Sequence, residues 1–175
     1  MQKYKTLGDV IALAEFAHRN QVDKAGMPYI EHPKRVMAAV QAQGHMPYVQ
    51  MAAVLHDITE DTAFTPDMLL ELGIPEGAVQ IVKLCDRNRS KIIHTSMCVQ
   101  YRDEFGEDWH MTQDEYYYHC IKENPGALAV KLADIHDNTQ HWRLSYLPEE
   151  TQQRLIKKYA KAKELLLGYT QRVGL

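Results

Sequence analysis

The chain has 175 residues, 45% hydrophobic and 25% charged, with a formal net charge of −3 at pH 7. This suits one soluble globular domain with a sizeable core. It provides no electrostatic footprint for nucleic acid or an anionic membrane, and no apolar run approaches the ~20 residues that span a bilayer. Cys85, Cys98 and Cys120 are odd in number and lack C-x-x-C spacing, so they read as reduced thiols of a cytoplasmic protein. Met1-Gln2-Lys3-Tyr4-Lys5 leads into an amphipathic segment, not into a signal-peptide core.

Leu7, Val10, Ile11, Ala14 and Ala17 recur at helical spacing, so Thr6 to about Arg19 is expected to be the first helix. A Gly- and Pro-punctuated loop, Gln21 to Tyr29, follows. Pro33 suits a first helical turn, which puts His32 at or near the N-cap of a second helix running to about Gln43. Pro47 starts a third, apolar helix that is expected to continue through His56-Asp57 to Glu60 and Asp61. Thr65-Pro66-Asp67 opens a fourth, and Pro75 to about Cys85 forms a fifth.

Asp86 to Met111 is the least regular stretch, with helix expected only around Met97 to Phe105. The capping box Thr112-Gln113-Asp114-Glu115 starts a sixth helix, ending near Glu123. Asn124-Pro125-Gly126 reads as a turn and Ala127 to about Gln140 as a seventh helix. Pro148 opens a last long helix with Leu155, Tyr159, Ala162, Leu165 and Leu166 on one stripe. No period-two alternation is long enough for a strand. The expected fold class is therefore all-α, one domain spanning residues 1–175.

Chemistry concentrates at His56-Asp57-Ile58-Thr59-Glu60-Asp61. An adjacent His-Asp directly after Ala52-Ala53-Val54-Leu55 sits against the core, where an unpaired carboxylate is costly and a metal ion would offset the cost. At helical spacing, His56 and Glu60 share one face, as do Asp57 and Asp61. His32 and Asp134 extend the pattern to two imidazoles and two carboxylates, a mixed donor set suited to Mn²⁺, Fe²⁺, Co²⁺ or Zn²⁺. The plain alternative is a solvated acidic helix end.

Four motifs occur in order: Ala17-His18-x-x-Gln21; Gly26-x-Pro28-Tyr29-Ile30-x-His32-Pro33; Leu55-His56-Asp57-x-x-Glu60-Asp61-Thr62; and Val130-Lys131-Leu132-Ala133-Asp134-x-x-x-Asn138. With these the chain resembles the HD-superfamily metal-dependent phosphohydrolases, in particular the RelA/SpoT-type (p)ppGpp hydrolase domain and small stand-alone HD proteins. Residues 139–175 are similar to the C-terminal helices of the stand-alone proteins. The resemblance implies a compact helical domain holding one divalent ion, with Mn²⁺ expected. It implies His32, His56, Asp57 and Asp134 as metal ligands and Glu60 and Asp61 as catalytic carboxylates near the attacking water. It implies Asn138 and Lys24 as substrate contacts and His18 and Gln21 as buried supports.

Arg87, Arg89 and Lys91 are candidate phosphate-binding residues after the fifth helix, against the reading of a solvated loop. His94, His110, His119 and His136 do not match a second metal site, and most of them are expected at the surface. Tyr116-Tyr117-Tyr118 reads as helix packing. One departure bears on substrate: the adjacent Arg-Lys pair that helps bind guanine nucleotide in (p)ppGpp hydrolases is Asp23-Lys24 here. The implied function is hydrolysis of a nucleotide-type phosphate or pyrophosphate ester. The alternative is a non-catalytic HD module that binds a nucleotide or a protein.

Overall fold

The computed structural model describes residues 6–168; the segment Met1–Lys5 and the last residues of the C-terminal stretch fall outside it. Eleven helices occur among the described residues: α1 (Leu7–His18), α2 (Glu31–Ala42), α3 (Pro47–Leu55), α4 (Ile58–Asp61), α5 (Pro66–Glu71), α6 (Glu76–Cys85), α7 (Arg87–Phe105), α8 (Gln113–Lys122), α9 (Pro125–Asn138), α10 (His141–Leu144) and α11 (Glu149–Leu167). The all-α expectation holds: the described residues form no strand, only an isolated antiparallel bridge between Val22 and Pro28. None of these helices is long and apolar enough to cross a membrane.

Helix α3 is the centre. Val49 and the whole run Met51 to Leu55 are buried, so the helix is apolar on every side and must be covered on every side. Helices α1, α2, α6 and α9 provide that cover. Helix α9 reaches α6 through Gly126, where an added Cβ would stand 2.6 Å from Ile81 Cδ1. This close approach carries Asp134, two turns further along α9, to the end of α3. Asn124 caps α9 by accepting the Ala127 N–H at 2.9 Å, so the helix starts at Pro125, inside the expected turn.

Three further expectations change. The His-Asp helix is not continuous: α3 stops at Leu55, Asp57 takes φ −100° and ψ −2°, and α4 adds one turn. Adjacent residues on an unbroken helix point about 100° apart, so His56 and Asp57 reach one point only if the helix breaks between them. The stretch after Cys85 is regular, a 19-residue helix α7 capped by Asp86 and closed by the left-handed Gly106. Of its residues only His94 is buried, so it turns no apolar face to the core. His94 itself is not a surface histidine; its Nε2–H donates to Met111 O at 2.7 Å. His110, His119 and His136 are exposed, as expected.

Candidate metal and phosphate site

Four elements meet where α3 ends. The first turn of α2 brings His32, the break after α3 brings His56 and Asp57, and α9 brings Asp134. His32 Nε2 lies 3.2 Å from Asp134 Oδ1 and 3.8 Å from Asp57 Oδ2. His56 Nε2 lies 3.0 Å from Asp57 Oδ2 and 3.9 Å from Asp134 Oδ1. Donor atoms of His32, His56 and Asp57 all fall within 4.8 Å of one another. The sequence-predicted ligand set is therefore one cluster in space.

Both imidazoles are oriented from behind. His56 Nδ1–H donates to Ala53 O at 2.8 Å, and a carbonyl can only accept, so the ring turns the Nε2 lone pair inward. That Nε2 is buried and makes no hydrogen bond of proper geometry. His32 Nδ1–H donates to Asp137 Oδ2 at 2.7 Å, which likewise frees its Nε2. Asp137 also accepts from Arg35 Nε at 2.6 Å and from Arg143 Nη1. A histidine whose second nitrogen donates to a carboxylate or carbonyl is the usual arrangement at a metal.

The electrostatics fit a cation. Burial opposes charge on His32, but hydrogen bonds to Asp134 and Asp137 and the Asp57 charge outweigh it and push the imidazole up to about 9. Burial also opposes ionisation of Asp57, and the His56 imidazole beside it overrides that, holding the carboxyl well below the ordinary range. Asp134 follows the same pattern: burial disfavours its charge, and Lys131 and the two imidazoles more than restore it. Two buried carboxylates thus draw positive charge onto the facing rings, and a divalent ion held by the same atoms would supply that charge instead.

The remaining contacts hold these groups in place. Lys131 Nζ stands 2.8 Å from Asp134 Oδ2, and Asn138 Nδ2 donates to Asp134 Oδ1. Tyr29 OH donates to Asp57 Oδ2 at 2.6 Å; burial and the Asp57 charge drive the phenol pKa far up, so it stays a donor. Gln21 Nε2 donates to Asp61 O at 2.8 Å and accepts from His18 Nδ1 at 2.6 Å. His18 and Gln21 therefore support α4 without approaching the cluster as donors.

A cavity of about 480 Å³ opens beside the cluster, lined by His32, Asp57, Asp134, Glu60, Asp61 and residues of α7, α8, α10 and α11. Glu60 Oε2 accepts the Arg87 backbone N–H at 3.0 Å. Burial raises the carboxyl pKa of both Glu60 and Asp61 above the ordinary range, with the Asp57 charge adding to it. The lining balances five carboxylates against five Lys and Arg side chains, so a bound divalent ion would leave it net positive. Of the expected substrate contacts, Lys24, Arg87 and Asn138 line the cavity.

Arg89 and Lys91 are corrections: both are exposed and neither lines the cavity. On a helix, Arg89 points about 200° away from Arg87, so one cluster in sequence becomes two faces in space. Asp23, which stands where the Arg-Lys pair would begin, has a structural role. It caps its own loop, accepting from Ala25 N at 2.9 Å and Met27 N at 3.0 Å. Its other oxygen lies 3.5 Å from Arg143 Nη2. Tyr117 and Tyr118 pack α8 as expected and also wall the cavity.

Sequence reasoning assigned no role to Asp137, Arg35, Arg143, Lys158 or the Lys131 ammonium. The available signals were spacing: Asp137 and Lys131 both lie three residues from Asp134, on its helical face.

Comparison with known proteins finds the same all-helical fold and several relatives in sequence. A solved structure described as a metazoan ortholog of SpoT that hydrolyzes ppGpp and plays a role in starvation responses superposes with a TM-score of 0.69 at 21% identity, over 95% of this chain and 89% of that one. The GTP pyrophosphokinase of Streptomyces coelicolor is 29% identical over 164 residues, covering 93% of this chain and 17% of that protein. The guanosine-3′,5′-bis(diphosphate) 3′-pyrophosphohydrolase of Haemophilus influenzae is 38% identical over 86 residues, covering 45% and 13%. The bifunctional (p)ppGpp synthase/hydrolase SpoT of Escherichia coli is 36% identical over 94 residues, covering 50% and 13%. The chain thus spans less than a fifth of the length of these curated relatives. No protein-family model matches the chain.

Proposed function

We propose that the chain is a metal-dependent phosphohydrolase acting on a nucleotide-type phosphate or pyrophosphate ester, with (p)ppGpp-like alarmones as the nearest candidates. The observation that carries this reading is His56 Nε2, buried and without a hydrogen-bond partner, turned toward the point where His32, Asp57 and Asp134 converge beside a cavity lined by charges of both signs. The names of the Haemophilus influenzae and Escherichia coli relatives support the substrate class.

In this reading His32, His56, Asp57 and Asp134 hold one divalent ion. Mn²⁺ is the expected ion, and the donor set also suits Fe²⁺, Co²⁺ or Zn²⁺. Such an ion lowers the pKa of its water and polarises a phosphoryl oxygen. Glu60, half-buried with a raised pKa and one oxygen engaged by the Arg87 N–H, suits proton delivery to the leaving oxygen. Asp61, more exposed on the same turn, suits orienting the attacking water. Lys24, Lys131 and Arg87 offer charge to phosphate oxygens, and Asn138 holds Asp134 while presenting the rest of its amide to the cavity. The single buried core supports one domain, and the unpaired cysteines support a cytoplasmic setting.

The test is metal analysis of the purified protein together with phosphate and pyrophosphate release from a nucleotide panel that includes ppGpp, with and without Mn²⁺. Stoichiometric metal and metal-dependent release from a panel member are expected. Nucleotide binding with no release from any member would replace the enzyme with a binding module.

A further inference from the structure

We infer that the outer face of α7 is a self-association surface that pairs antiparallel with the same face of a second copy of this chain. Helix α7 buries only His94, on the side facing α8, and leaves the opposite side uncovered. On that outer side Arg89, Ile92, Ser96, Val99 and Asp103 recur at alternating three- and four-residue spacing, the seam pattern of paired helices. Ile92 is 68% and Val99 58% exposed, the two apolar side chains of this stripe. The surface is indented between Thr95, Ser96, Val99 and Asp103, with Gln100 and Glu104 along one side, and the small Ser96 at its centre leaves room for a second helix.

The order of residues along the stripe selects the occupant. About a two-fold axis at Ser96, Ile92 of one copy meets Val99 of the other, and Arg89 meets Asp103. Arg89 and Asp103 have no ion-pair partner among the described residues. Arg89 is also one of the two expected phosphate-binding residues that the cavity does not use. A face that is apolar in the middle, basic at one end and acidic at the other matches its own copy turned end for end. This is what an isologous interface requires, and an unrelated partner would not. A single helix pair covers less than the roughly 1,200 Å² of a standard interface, so the association is concentration-dependent and weakens with salt.

The test is sedimentation equilibrium of the full chain across protein concentrations at low salt, with helix content checked by circular dichroism. The wild type is expected to pass from monomer to dimer as concentration rises. Arg89→Glu and Asp103→Arg each place like charges together and should weaken dimerisation by roughly tenfold or more, and the double substitution should restore it. Three results would each overturn the inference: a wild type that stays monomeric at the highest concentration, a dimer indifferent to both single substitutions, or a double variant no better than the singles.

Discussion

His32 Nδ1 and Asp137 Oδ2, 105 positions apart in sequence, lie 2.7 Å apart, and this contact sets which ring nitrogen faces the site. Asp137 cannot turn away, because Arg35 donates to both of its oxygens and Arg143 donates to Oδ2 beside His32. Asp137→Asn should therefore lower Mn²⁺ affinity by about 10- to 100-fold without moving the backbone. An asparagine amide can donate to Nδ1, which favours the tautomer with its proton at Nε2. Competition with a chelating dye measures the change, and an unaltered affinity would mean that packing alone holds the ring.

Ligands and proton carriers should separate by what each substitution removes. His56→Ala or Asp57→Ala should abolish metal binding and turnover together, and lower stability by leaving buried charge uncompensated. Glu60→Gln and Asp61→Asn should keep the metal while turnover falls by ~10² or more. Metal content and rate measured on the same samples decide it. Wild-type rates in both carboxamide variants would return these residues to a solvated helix end.

Much of this site was legible because its residues sit at helix ends, where capping and proline rules apply. Pro33 and Pro47 fix where α2 and α3 start, and the apolar run to Leu55 fixes what lies behind His56. The break at His56-Asp57 was not legible, because helical spacing alone continues α3 into α4 and only convergence on a shared point requires the turn. Helix α7 was missed for the opposite reason. Nearly all of it faces solvent, so the broad core-facing apolar stripe that marks the other helices is missing from it. Asp137 and Arg143 act through contacts with His32 and Asp23, and no local pattern announces a partner more than a hundred residues away.

Lys131 holds Asp134 at 2.8 Å with both side chains largely buried. Lys131→Met keeps the aliphatic packing but leaves a buried carboxylate without its main counter-charge. Stability without added metal should fall by about 3–5 kcal/mol, and added Mn²⁺ should recover part of the loss. Urea melts with and without the ion measure both. Equal midpoints for variant and wild type would show that the imidazoles alone neutralise Asp134.

Cys85 is buried under Tyr117, whose OH donates to the Cys85 carbonyl at 2.7 Å. Burial pushes the Cys85 thiol up to about 12, so almost no thiolate forms near neutral pH. Alkylation of the folded protein should spare Cys85 and modify the half-exposed Cys98 and Cys120. Mass spectrometry of peptides after brief iodoacetamide treatment reads this directly. Modification of Cys85 at a rate matching Cys98 would show that α6 and α8 open readily.

Asp23 has two separable roles, and they predict opposite effects on substrate binding. Its Oδ1 caps the loop by accepting from Ala25 N and Met27 N, and its Oδ2 faces the Arg143 guanidinium. Asp23→Ala removes both contacts, loosens the loop that carries Lys24, and should raise KM for every phosphorylated nucleotide. Asp23→Asn keeps an oxygen for the loop and removes only the charge. Arg143 then keeps Asp137 but loses one neutralising carboxylate, so the cavity becomes more attractive to anions. An ion pair of this kind contributes ~1 kcal/mol, so KM for a multiply phosphorylated nucleotide should fall about fivefold in Asp23→Asn, with little change for a monophosphate. Asp23→Arg, which restores the residue found in (p)ppGpp hydrolases, would set two guanidinium groups together and lose both loop caps. It should therefore gain ppGpp turnover only when combined with Arg143→Gln. Steady-state kinetics of the single and double variants on ppGpp and a monophosphate measure each step. Parallel KM changes in Asp23→Asn and Asp23→Ala would mean that the charge, lost in both, and not the loop cap, is what the substrate senses.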